Sequence, residues 1–114
     1  MRKQLIENAA YEVATQVRAV EDAIDTALTE MAELQARMMR ANSVASAGFG
    51  TIHPALERLA VAVSGLVETR GAVVGCHAAL TEAKGKVPGL RTVSWGDGQE
   101  CPPPEAVVDL RIVA

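Results

Sequence analysis

Apolar side chains at alternating steps of four and three dominate the first third of the chain. Ile6, Ala10, Val13, Val17, Val20, Ile24, Ala27, Met31, Leu34, Met38 and Ala41 hold this spacing for five heptads without a slip. A strand needs period two, so the pattern predicts one long helix with a lengthwise apolar seam. Neither proline nor glycine interrupts it, and Asn42, Ser43 and Gly48 supply the stop, which places the helix over residues 2–42. Ala9, Ala14, Ala23 and Leu28 widen the stripe beyond what a two-stranded zipper needs and suit it to a bundle.

A connection over 43–53 follows. Gly48 and Gly50 bracket Phe49, so the chain is expected to turn sharply there with the ring folded over the end of the core. Pro54 fits the first turn of a second helix, expected over 54–84. Ile52, Leu56, Leu59, Val63, Leu66, Arg70, Val73, His77, Leu80, Lys84 and Val87 again alternate four and three. Three polar residues, Arg70, His77 and Lys84, break this otherwise aliphatic seam. Ser64, Gly65, Gly71, Ala72, Gly75 and Ala79 collect on the other side of the helix as a small-residue groove. Each internal glycine costs about 1 kcal/mol against alanine, so a close neighbour is expected there.

Two heptad helices on a short loop fold back as an antiparallel hairpin. If the bend centres near 47–48, Arg70 meets Glu21, Asp22 and Asp25. Lys84 then falls near Glu7 and Glu12, and His77 near Arg18 and Glu21. These contacts are read as register-fixing ion pairs at the seam. Beyond the hairpin (1–87), residues 88–114 read as an extended tail. Pro88-Gly89 marks a turn, and Leu90 to Trp95 and Val107 to Val113 alternate as two short strands. The expected fold class is therefore predominantly all-α: a long helical hairpin dimerising to a four-helix bundle, with a short extended or β tail. The interface is expected at Gly65, Gly71, Ala72, Gly75 and Ala79, with Trp95, Val108, Leu110 and Ile112 of the tail.

Composition narrows the functional classes. Aromatic residues are 3% of the 114, and the small side chains that replace them line a ligand cavity poorly. The net charge of −3 is spread without a basic segment, so nucleic acid is not an expected partner. The apolar runs 59–67 and 71–80 read as too short to span a bilayer, and no signal-peptide pattern follows Met1. A cytoplasmic protein with free thiols at Cys76 and Cys101 is the expectation.

No catalytic motif occurs: neither a nucleophile elbow, a zincin helix, a phosphate loop nor a Cys-x-x-Cys pair is present. Cys76 and His77, adjacent on a helix, point about 100° apart and do not readily share a metal. They read as a buried thiol and a seam histidine, and no cofactor or metal is expected. In outline the hairpin with its glycine-rich bend is similar to small secreted hairpin proteins of the WXG type. The bend lacks Trp-x-Gly, since Trp95 lies in the tail, so the resemblance implies the hairpin and no function. The functional expectation is a non-enzymatic interaction module (scaffold, adaptor or inhibitor) acting as a homodimer, with a heterologous partner helix in the same groove as the runner-up. The competing class is a ligand- or metal-binding bundle using Arg70, His77 and Cys76.

Overall fold

The computed structural model describes residues 1–90 of the chain. The expected strands beyond Leu90, with Trp95, Cys101, Val108, Leu110 and Ile112, lie outside the described residues. Within them the regular structure is two α-helices, α1 (Arg2–Val44) and α2 (His53–Gly85), and no strand occurs among the described residues. Both helices run without a break, α2 straight through Gly65, Gly71 and Gly75. The connection is shorter than the sequence suggests, because each helix takes in residues expected in the loop.

The chain divides into two compact units, Arg18–Gly75 and a second made of Met1–Val17 with the segment from Cys76 onward. In the first unit α1 and α2 fold back on one another about the loop. The turn is made by Ser46, not by the glycines: its φ of 53° is the positive value among the described non-glycine residues. Ala47 N–H donates to Asn42 O and Ser46 N–H donates to Ser43 O, both at 3.1 Å. These two bonds satisfy carbonyls left open at the end of α1, the Schellman arrangement with serine where glycine is usual. Thr51 N–H to Gly48 O (3.0 Å) and Leu56 N–H to Ile52 O (3.0 Å) then lead into α2. Pro54 sits in its first turn, where a missing N–H costs no helical bond. Backbone capping uses up the loop, and Phe49 is left at the apex, 93% exposed, with its ring off the core instead of over it.

Packing in this unit follows the α2 ladder closely. Leu59 is buried, and Leu56, Val63, Leu66 and Val73 are half-buried. On α1 only one of the two expected lines is covered. Ile24, Met31 and Met38 are shielded, but the second shielded line is Glu21, Leu28 and Asn42, with Gln35 exposed, whereas Val20, Leu34 and Ala41 are exposed and Ala27 is half-buried. The helix is thus rolled by one position from the expected seam. The physical reason lies in the polar edge: the shielded line adjoins Asp25, and Arg70 on α2 reaches that carboxylate. Only Ile24 and Leu59 are buried in this unit, and no large side chain in the described residues is fully enclosed.

The second unit holds the first turns of α1, the last turns of α2 and a closing turn. Val87-Pro88-Gly89-Leu90 is a β-turn, with Leu90 N–H donating to Val87 O at 3.1 Å and Gly89 at φ 90°. Proline at the second position and a positive-φ glycine at the third are the demands of a type II turn. It delivers Leu90 inward, 4% exposed, and His77 is buried in the same unit.

Candidate interaction surface

The seam polar residues behave differently from one another. Arg70 Nε donates to Asp25 Oδ1 at 2.7 Å, a charge-assisted bond between side chains that are 53% and 56% exposed. That bond holds the Asp25 carboxyl below its usual range, with the guanidinium charge adding to it, and the same bond raises Arg70. Glu21 adds a weaker Coulomb attraction to Arg70. At this exposure the pair fixes register more than it stabilises. His77 is buried and Lys84 half-buried on α2, while Glu12 is exposed on α1.

The remaining candidates divide in the same way. Cys76 is exposed, which corrects the expectation of a buried thiol: it lies off the seam, one helical step from His77. Among the described residues no three His, Cys, Asp or Glu side chains come together as a metal site. A hollow of about 390 Å³ in the second unit is walled by Arg2, Lys3, Ile6 and Glu7 of α1 and by Pro88, Gly89 and Leu90 of the turn. With one carboxylate among two cations and an open mouth, it presents no convergent polar set.

Gly65, Gly71, Ala72, Gly75 and Ala79 are all exposed on α2. A Cβ built on Gly65, Gly71 or Gly75 meets nothing within 4 Å among the described residues. Among the described residues, then, no neighbour requires glycine at these positions. A stripe of small residues above open space does not by itself name an occupant.

What the geometry does present is uncovered apolar surface in the unit Arg18–Gly75. Val20 is 39%, Leu34 49% and Val44 81% exposed on α1, and Val61, Val67 and Val74 lie more than half exposed on α2. The expectation that no segment approaches a membrane-spanning length is also corrected. The runs either side of Glu68 and Arg70 join into one 33-residue helix, long and apolar enough by length and composition to cross a bilayer. Its most apolar 18 residues have a mean hydropathy of 1.4. Helices that pack against protein share this length and composition.

Compared with family models, with curated proteins and with solved structures, the chain matches none.

Proposed function

We propose that this chain is a non-enzymatic protein–protein interaction module that works as a homodimer, its two hairpins closing a four-helix bundle. One observation carries the reading: the unit Arg18–Gly75 buries two side chains, Ile24 and Leu59, while valines and a leucine stand exposed on both its helices. Ordering each residue costs on the order of 1–2 kcal/mol of backbone entropy. Burying an aliphatic side chain returns about 1.5–3 kcal/mol. Two buried side chains and a half-covered seam are a thin core for a unit of this length, and a second copy supplies the missing cover in the commonest closed form.

A bilayer is the competing cover for α2. Between Leu59 and Cys76 the helix carries Glu68 and Arg70. A charge at the centre of a spanning helix costs about 2.5–3.5 kcal/mol on insertion scales. Arg70 is moreover bonded to Asp25 of α1, which would have to follow it or be left behind. Protein cover avoids both costs.

Sedimentation equilibrium of the full chain in detergent-free buffer tests the reading. A dimer mass at micromolar concentration is expected. A stable monomer, or a chain recovered only with lipid, overturns it.

A further inference from the structure

Resting on the homodimer reading, we infer that the two copies meet through α1, antiparallel, about a two-fold axis at Leu34. The roll of α1 leaves one side of its apolar stripe bare. That stripe has two lines at heptad spacing, and α2 shields the line of Val17, Ile24, Met31 and Met38 together with Glu21 and Leu28 on its far side. The other line, Val20, Ala27, Leu34 and Ala41, lies roughly a quarter-turn away from α2, with Ala27 half-covered and the rest exposed. In a four-helix bundle each helix touches two neighbours about a quarter-turn apart. The shielded line serves α2, and the bare line has the position and spacing for a second neighbour.

Charge chooses that neighbour and its direction. The positions flanking the bare line on its solvent side are Ala23, Glu30, Arg37 and Val44. In an antiparallel pair such flanks face each other across the interface, whereas in a parallel pair they face the opposite edge. With the axis at Leu34, Glu30 of each copy comes opposite Arg37 of the other, so one geometry makes two opposite-charge pairs. The same axis sets Leu34 against itself, Ala27 against Ala41, and Ala23 against the exposed Val44. Centring the pair one heptad earlier, at Ala27, puts Glu30 opposite Ala23 and Arg37 opposite Gln16, and both charges lose their partners. Arg37 can exchange readily: within the chain it makes a loose, exposed contact of 3.8 Å with Glu33. Every residue of this face belongs to the unit Arg18–Gly75, the unit with the thin core.

The test combines charge reversal with cross-linking in the full chain. Sedimentation equilibrium of Glu30→Arg and of Arg37→Glu should each show a dimer weakened about tenfold, since each creates two like-charge contacts. The double variant should return to within about threefold of the parent. In a background with both native cysteines changed to serine, Leu34→Cys should cross-link to itself through a short bismaleimide, and Gly71→Cys should not. Rescue by the double variant together with the Leu34 cross-link supports the inference. A dimer that ignores both reversals and cross-links at Gly71 overturns this interface while leaving the homodimer reading standing. A parent chain that is monomeric removes both.

Discussion

The two compact units close their ends in opposite ways. In the unit that begins at Met1, a type II turn at Pro88-Gly89 delivers Leu90 into the packing, and His77 is buried in the same unit. In the unit Arg18–Gly75, the turn at Ser46 caps α1 by backbone bonds and leaves Val44 and Phe49 in the open. A turn of similar size plugs one packing and not the other. The difference separates an end closed by the chain's own residues from an end left open.

The largest expected effect falls on the thinner unit. Leu59→Ala removes one of its two buried side chains and should cost about 3 kcal/mol in urea unfolding. A loss below about 1 kcal/mol would mean Leu59 is not part of a real core. In the other unit Leu90→Ala should cost about 2 kcal/mol, and Gly89→Ala about 1 kcal/mol, because alanine is strained at a positive φ even with room for its Cβ. If Leu90→Ala proved silent, the plugged end would be no better closed than the bare one.

Gly71→Ala runs the other way. Among the described residues nothing lies within 4 Å of the added methyl, and the proposed α1 interface does not use this face. Thermal unfolding should therefore show a gain of about 1 kcal/mol with dimerisation unchanged. A weakened dimer would move the interface to the glycine face. Ser46→Gly relieves the left-handed serine and should stabilise by about 0.5–1 kcal/mol, read from the same unfolding curves.

The smallest effect is the acid dependence of Asp25. Its pKa is lowered in the folded chain by the bond from Arg70, so its contribution is present above the unfolded carboxylate value of about 3.9 and is lost as pH falls through the lower folded value. The parent should lose slightly more stability than Asp25→Asn below about pH 4, and the two should run parallel above it. Divergence at neutral pH alone would point to a steric role for the carboxylate.

Much of this is readable in the residues. Heptad spacing locates both helices within two residues, because length and period together leave no other structure. On α2 the aliphatic ladder from Leu56 to Val73 coincides with the shielded side. On α1 the same spacing puts Val20 and Leu34 at the seam, and they are exposed. An apolar stripe wider than one neighbour covers does not say which edge the neighbour takes; Arg70 bonded to Asp25 decides that, and it is a tertiary contact. Phe49 departs from its expected place for a related reason. A ring between two glycines can swing inward, but Ser46 makes the turn and capping consumes the loop. The expectation of a buried Cys76 leans on its neighbour His77, although a helix separates adjacent side chains by about 100°. The polar seam residue Arg70, by contrast, is legible from its break in an aliphatic register.

The unit Arg18–Gly75, on this view, is an incomplete core finished by a second copy of the chain. Its most direct test is the midpoint of thermal unfolding measured over a range of protein concentration on the order of a hundredfold. If folding and association are one event, the midpoint rises steadily with concentration, as mass action requires. A midpoint that stays fixed across that range would show that each chain holds its fold unaided, and would contradict a core completed by a second copy.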